Sequence, residues 1–164
     1  MKKLFYITIV LFFKFNLANS LIEVDITRGN LDPLPIAISP LHVDIKSENY
    51  EDIKIKELGE LISSVIEENF RSTGLFNPLS KDAFIQKPDI AHLKPRFEDW
   101  RLIKAQALVT GKLLIKDGKL KVEFRLWDLA AAKEMTALAF TTTPSNWRRV
   151  AHIISDKIYE RLTG

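Results

Sequence analysis

Cysteine is the most informative absence from this chain of 164 residues. Without cysteine there can be no disulfide, no lipoprotein anchor, no thiol nucleophile and no thiolate site for zinc or an iron–sulfur cluster. Glycine is scarce, with only six in the chain, and no two lie close enough to form a phosphate-cradling loop. Lys112 and Lys119 each follow a glycine, but neither precedes the Ser or Thr that a P-loop requires.

A long apolar run occurs only at the N-terminus, over residues 4–13, after two lysines. This run is about half as long as the roughly 20 apolar residues that a membrane-spanning helix needs. Small residues, Ala18 and Ser20, occupy the −3 and −1 positions of a cleavage site. The pattern predicts a secretory signal peptide over residues 1–20, cleaved after Ser20, with an uncleaved N-terminal anchor as the alternative.

Removal of the predicted signal peptide also removes the net positive charge of the chain. Residues 1–20 hold three of the 24 basic residues and none of the 21 acidic ones, so residues 21–164 carry 21 of each sign. A general nucleic-acid-binding function therefore loses its main support. The remaining charge is uneven, because several basic residues cluster in one predicted hairpin: Lys112, Lys116, Lys119, Lys121 and Arg125. They either protect a solvated sheet face or form a patch for an acidic partner.

Two amphipathic helices are predicted over residues 54–72 and 145–163. The first has an apolar stripe, is expected to expose Glu57, Glu60, Glu67 and Glu68, and ends just before Gly74. The second is expected to begin at a Ser145 cap and to end at Gly164. Its predicted buried stripe is Trp147, Val150, Ile153, Ile154, Ile158 and Leu162. A shorter helix is expected over residues 96–106, with Trp100 packed inward.

Five strands are expected around these helices. They span residues 21–27, 35–39, 107–116, 119–127 and 134–143, and the second of them is expected to continue after a bend at Pro40. Asp117-Gly118 is the strongest hairpin signal, because a type I′ turn needs two positive φ angles. The last three strands therefore form an antiparallel meander, and residues 75–94 are expected to be irregular.

Catalytic motifs are missing from the sequence. The histidines, His42, His92 and His152, are too far apart for a metal motif such as His-Glu-x-x-His. There is no Gly-x-Ser-x-Gly elbow, and the carboxylate pairs are not distinctive among 21 acidic residues. We therefore expect no catalytic, cofactor-binding or metal-binding residue and no small-molecule substrate.

The first strand, by contrast, has a pattern suited to partner binding. Ile22, Val24 and Ile26 share one face, while acidic and polar residues share the other. This is either an ordinary first strand or a strand that can detach, because a terminal strand has few tethers.

Several segments resemble the TolB N-terminal domain family, whose members belong to the Tol–Pal cell-envelope system. They are Pro35–Pro40, Asn69–Leu79, Trp100 with Ala107–Lys112, Phe124–Asp128, Trp147–His152 and Ser155–Gly164. The Ser-x-Gly-x-Phe-x-Pro-Leu element beginning at Ser72 and the Trp-Arg…His…Ser-Asp…Leu-Thr-Gly helix are specific in combination. The resemblance covers all of residues 21–164.

The resemblance implies a small α/β domain of the α+β type, with a mixed sheet packed by two main helices, over residues 21–164. It implies a periplasmic adaptor rather than an enzyme, and a β-propeller after the domain that binds the lipoprotein Pal. It also implies that the mature N-terminus binds the periplasmic domain of TolA. That segment corresponds to Leu21, Ile22, Glu23, Val24, Asp25, Ile26, Thr27, Arg28, Gly29, Asn30, Leu31 and Asp32.

Two features depart from the family pattern. The sequence ends at Gly164, where the propeller would begin, and residues 21–32 match in pattern more than in identity. The alternative from another class is an exported ligand-binding or enzymatic domain that uses a pocket above the sheet. A third possibility, an anionic polymer bound by the hairpin lysines, predicts affinity that falls steeply with salt.

Overall fold

The computed structural model describes residue 22, residues 32–44 and residues 55–164. The strands are β1 (Leu34–Ile38), β2 (His42–Val43), β3 (Phe76–Pro78), β4 (Ala107–Lys116), β5 (Lys119–Asp128) and β6 (Lys133–Thr142). The helices are α1 (Ile55–Thr73), α2 (Pro88–Ala91), α3 (Phe97–Leu102) and α4 (Trp147–Thr163), with short 3-10 turns at Lys81–Ala83 and Pro144–Asn146. Apart from Ile22, the predicted first strand lies outside the described residues.

The sheet is mixed, as expected. Its strand order is β3-β1-β4-β5-β6, and β2 pairs with β4 beyond the end of β1. β3, β1 and β4 run parallel, whereas β4, β5 and β6 form the predicted antiparallel meander. Asp117 and Gly118 have φ angles of 51° and 67°, so both residues of the hairpin turn lie in the left-handed region. The hairpin prediction is confirmed.

One face of the sheet packs against α1 and α4. The inward residues of β5 are fully buried, and most stripe residues of both helices are buried with them, which confirms the period-2 and helical patterns. In the predicted stripe of α4, Trp147 is only partly buried against this core, and Ile153 is half-buried outside it. The stripe residues of α1 that line this core are Leu58, Ile62, Ile66 and Phe70. Those of α4 are Val150, Ile154, Ile158 and Leu162. No helix in the described part of the chain is long and apolar enough to cross a membrane.

The segment between β3 and β4 covers part of the opposite face, where Trp100 is fully buried in a second apolar cluster. Buried Gln86 organises this layer. Its Oε1 accepts the Trp100 indole N–H at 3.0 Å and the Arg96 backbone N–H at 2.8 Å. The helix expected over residues 96–106 is shorter than predicted and ends at Leu102. Two residues after that end, Lys104 has a φ of 62°, which is incompatible with a right-handed helix.

Three further local predictions were wrong. Residues 75–94 are not wholly irregular, since β3 pairs with β1 and Leu34 donates its N–H to Leu75 O. Ser145 lies inside a 3-10 turn, so Asn146 and not Ser145 precedes α4. Glu67 does not face water, because its carboxylate is half-buried 3.1 Å from the Lys81 Nζ. Burial raises the pKa of Glu67 against the opposing effect of Lys81.

Candidate partner-binding site at the N-terminal segment

Two residues of the predicted partner-binding segment, Ile22 and Asp32, lie within the described part of the chain. Ile22 is half-buried and packs against the main core, while Asp32 is exposed just before β1. Leu21 and residues 23–31 lie outside the described residues. The structure therefore shows where the segment joins the domain, and the binding role of its individual residues stays a prediction.

Asp128 holds the N-terminal end. The backbone N–H of Ile22 donates to Asp128 Oδ2 at 3.1 Å, across 106 positions of sequence. Asp128 Oδ1 accepts the backbone N–H of Ala131 at 2.8 Å. Asp128 ends β5 and is fully buried. A buried carboxylate is costly unless donors surround it, so this side chain is committed to the segment and to the β5–β6 turn.

The turn beneath Asp128 is itself braced. Arg101 Nε donates to Leu129 O at 2.6 Å, and its Nη2 donates to Ala130 O at 3.3 Å. Leu129 N donates to Gln106 O at 3.0 Å. These bonds fix the turn to α3 and to the residue before β4, so the carboxylate that accepts the Ile22 N–H is held in place.

Both ends of the segment reach the same end of the sheet. Ile36 pairs with Ala107, and Ala107 pairs with Asp128 in the next strand. Asp32 precedes Ile36 by only four residues. Since neighbouring strands lie about 4.8 Å apart, Ile36 and the Asp128 anchor are separated by about two strand spacings, and Asp32 lies a few residues further along. The sequence could not reveal this proximity, because it depends on the strand order.

The basic hairpin is largely paired within the sheet. Glu123 lies 2.7 Å from Lys121 Nζ and 3.5 Å from Lys112 Nζ, and Arg125 pairs with Glu134 at 3.4 Å. The Lys121 hydrogen bond is the main cause that lowers the pKa of Glu123. This pairing favours the solvated sheet face over the patch for an acidic partner.

The structure also brings together two histidines, His42 and His92, that are far apart in the sequence. The rings of His42 and His92 stack with centroids 4.3 Å apart and planes 2° from parallel. They join β2 to the end of α2, beside a cavity of about 210 Å³ lined by His92, Leu93, Lys112 and Arg125, among others. Among the described residues, no three His, Cys, Asp or Glu side chains are grouped to hold a metal ion.

Acid is expected to destabilise the fold through this stack. Burial, and then the charge of His92, lowers the pKa of His42 below its ordinary value of 6.5, while Asp44 and Asp89 oppose the shift and Lys112 adds to it. The folded state then binds fewer protons than the unfolded state near that pH, so stability is lost as pH falls through this range. Thermal unfolding at about pH 7.5 and about pH 5 measures the loss.

The variant His42→Gln is expected to show a smaller loss of melting temperature between the two pH values than the unaltered chain. His92→Gln removes the neighbouring charge and should reduce the loss in the same direction. An equal loss in all three proteins would contradict the assignment to the stacked pair.

The family model described as the TolB amino-terminal domain matches residues 22–135. The Tol-Pal system protein TolB of Pelagibacter ubique (strain HTCC1062) is 70% identical over 149 residues. That match covers 90% of this chain and 33% of the relative. The chain thus spans about a third of the length of this relative.

Solved structures agree on the fold. TolB from Acinetobacter baumannii superposes with a TM-score of 0.64 at 20% identity, covering 87% of this chain and 31% of that one. A PelC dodecamer from Paraburkholderia phytofirmans gives a TM-score of 0.52 at 17% identity, covering 82% and 93% of the two chains. At these identities the superpositions show a shared fold, and the sequence matches decide the family. The chain belongs to the TolB amino-terminal domain family.

Proposed function

We propose that this chain is a non-enzymatic adaptor of the Tol–Pal system that works in the periplasm after cleavage of residues 1–20. In this proposal residues 21–32 bind the periplasmic domain of TolA, and the system supports outer-membrane integrity and envelope constriction at division. Family membership supports the system, and the Ile22–Asp128 hydrogen bond supports the mode of action. The terminal segment is held by its own domain at a point from which it can be released.

The docked contact is of a strength that a partner can displace. A hydrogen bond to a charged group contributes about 1.5–3 kcal/mol, and a half-buried isoleucine adds roughly 1 kcal/mol. Ordering a residue costs about 1 kcal/mol of backbone entropy, so fixing Ile22 offsets part of that gain. The docked form is therefore favoured by only about 1–3 kcal/mol, and a partner that binds the released form more tightly than this shifts the population.

The released segment has the pattern of a strand that adds to a partner's sheet. Ile22, Val24 and Ile26 alternate with polar residues, so one face can cover an apolar edge while the backbone pairs with it. Ile22 is also the residue that packs on the main core when docked. Docking and partner binding then use the same side chain, which makes them mutually exclusive in this proposal.

Pal binding is assigned to a different part of the longer proteins. The relative from Pelagibacter is about three times as long as the matched region, and its remaining length has room for a separate Pal-binding domain. We therefore propose no Pal-contacting residue among residues 21–164. TolA is the partner that this domain is proposed to bind directly.

Deletion of residues 21–32 is expected to abolish capture of the periplasmic domain of TolA from the same organism. The missing strand removes both the apolar face and the pairing backbone. A pull-down with mature chain, with and without the segment, measures the loss. A matched pair of variants sharpens it: Val24→Asp places a charge on the apolar face, whereas Thr27→Asp places one on the polar face.

The expected order is normal binding by Thr27→Asp, weak binding by Val24→Asp and none by the deletion. Circular dichroism should show that all three proteins keep the fold, since residues 34–163 contain the described strands and helices. Unchanged capture by the deleted protein would overturn the assignment of TolA binding to residues 21–32.

A further inference from the structure

Two sequence elements that carry the family resemblance meet in space at a site that the proposed function does not use. Asn69 lies near the end of α1, and its Nδ2 donates to His152 Nδ1 at 3.0 Å and to Ser155 Oγ at 2.8 Å. Ser155 is buried and donates its own proton to Ala151 O at 3.0 Å. Asn69 thus joins the last turn of α1 to the middle of α4 through an ordered polar network.

A cavity of about 230 Å³ opens beside this network. Its lining includes Asn69, Ser72, His152, Asp156 and Tyr159. Pockets for drug-sized ligands usually measure about 300–1,000 Å³. The cavity, which we call the α1–α4 niche, is therefore of a size to receive one side chain rather than a large small molecule.

The electrostatics of the niche favour a cation. Asp156 is the single charged residue of its lining. On the same helix Glu160 pairs with Lys157 at 2.8 Å, whereas Asp156 has no ion pair within the described part of the chain. The niche also adjoins the C-terminal end of α1, where the helix dipole is negative. An anionic ligand would be repelled by Asp156 and by the C-terminal end of α1.

The neighbouring hydroxyl groups strengthen this preference. Ser72 Oγ donates to Asn69 O at 2.7 Å, and Thr73 Oγ1 donates to Phe70 O at 2.8 Å. The Ser155 proton is also directed to a backbone carbonyl. Thr73 Oγ1 and Ser155 Oγ each accept one hydrogen bond, from Leu75 N–H and Asn69 Nδ2, so each keeps one lone pair and no proton for a ligand. The niche is consequently richer in acceptors than in donors, as a guanidinium group requires.

The position of Tyr159 favours arginine over lysine as the cationic side chain that the niche would bind. Its ring meets Phe76 edge-on with centroids 6.1 Å apart, and Phe76 in turn packs on Phe70 at 4.8 Å. The tyrosine ring is thus held by the core while 36% of the residue remains exposed. An aromatic ring and a carboxylate that line the same cavity suit a planar guanidinium better than a strongly hydrated ammonium.

We propose that the α1–α4 niche receives an arginine side chain presented by a protein partner. The guanidinium pairs with Asp156 and lies against Tyr159, with Asn69 and His152 fixing the rim of the niche. This inference uses none of residues 21–32, so it stands or falls independently of TolA binding.

The test uses the ¹⁵N-labelled full chain and three small probes: the amides of N-acetylarginine, N-acetyllysine and N-acetylcitrulline. Arginine amide at millimolar concentration is expected to shift the side-chain amide signals of Asn69 and the backbone signals around Asp156 in a saturable way. Lysine amide should bind more weakly. Citrulline amide has nearly the same shape without the charge and should give no saturable shift.

Asp156→Asn is expected to weaken arginine amide about threefold to tenfold, the range for a partly exposed charged hydrogen bond. Glu98→Gln is the control, because it makes the same charge change on α3, outside the lining of the niche, and should leave binding unaltered. The proposal that the niche binds a guanidinium group would be overturned by shifts that do not saturate, by equal binding of citrulline amide, or by equal weakening in both variants. Equal binding of lysine amide would overturn its assignment to arginine.

Discussion

Replacement of Asp128 by asparagine is expected to release the N-terminal segment while leaving the domain folded. The carboxylate offers one oxygen to Ile22 N–H and the other to Ala131 N–H. Asparagine keeps only one oxygen acceptor. The Ala131 bond closes a local turn and should retain that oxygen, so Ile22 N–H would face an amide NH₂. Loss of a charge-assisted bond worth about 1.5 kcal/mol corresponds to roughly tenfold less protection.

Hydrogen exchange at the Ile22 amide measures this release. We expect about tenfold faster exchange in Asp128→Asn, with little change at the Ala131 amide. Asp82→Asn is the matched control, since Asp82 is exposed in the 3-10 turn far along the chain and should leave Ile22 unaffected. Unchanged exchange at Ile22 would show that Asp128 does not hold the segment.

The same substitution tests the competition between docking and TolA. If the two states are exclusive, the apparent affinity for TolA rises in proportion to the released fraction. Asp128→Asn should then bind TolA more tightly than the unaltered chain, up to about the factor by which docking was favoured. Weaker binding would mean that the docked form is the one that TolA recognises.

Gly59→Ala is expected to produce the largest loss of stability. A Cβ at this position would lie 1.9 Å from the carbonyl oxygen of Leu41, which is backbone and cannot swing aside. Leu41 N also donates to Gly59 O at 3.2 Å, so the two segments are tied at this point. Alanine favours a helix by about 1 kcal/mol over glycine, but separating the segments costs about 3 kcal/mol or more.

Leu41 has little room to retreat, because Gly111 of β4 approaches it from the other side. A Cβ at Gly111 would lie 2.7 Å from Leu41 Cδ2 and 2.3 Å from Glu123 O. The buried leucine is therefore clamped between a helix and the sheet by two residues without side chains. This arrangement explains why glycine occurs inside α1 and inside β4, where it is otherwise unfavourable.

Urea unfolding measures the loss in Gly59→Ala. Gly74→Ala is the control, since nothing lies within 4 Å of its added Cβ and only its φ of +70° opposes the change. That strain costs roughly 1–2 kcal/mol. A loss in Gly59→Ala no greater than in Gly74→Ala would contradict the close approach of α1 to Leu41.

Local sequence patterns were sufficient to predict much of the fold. The alternation in β5, the helical stripes of α1 and α4 and the Asp117-Gly118 turn all concern residues within one turn or one strand of each other. Such patterns determine which face is buried, so they can be read without knowing what lies opposite. The failures share the opposite property: β3 has three residues and exists through its pairing with β1.

The prediction that Glu67 faces water was wrong for the same reason. Its position on α1 belongs to the polar side of the stripe, which predicts exposure. Lys81 reaches it from a 3-10 turn that the sequence did not indicate, and the same ammonium contacts Glu60 and Ser63. A carboxylate can be half-buried only where a cation lies beside it. The path of the loop that carries Lys81 decides whether this cation reaches Glu67.

The sequence by itself determined the two long helices, the meander, the alternation of apolar and polar residues in the terminal segment and the family to which they point. Only the tertiary structure decided which distant groups meet: Ile22 with Asp128, His42 with His92, and Asn69 with His152 and Ser155. Each of these pairs depends on strand order and helix packing, which are set by the burial of the whole core. For that reason the candidate docking point and the α1–α4 niche could not be derived from local patterns.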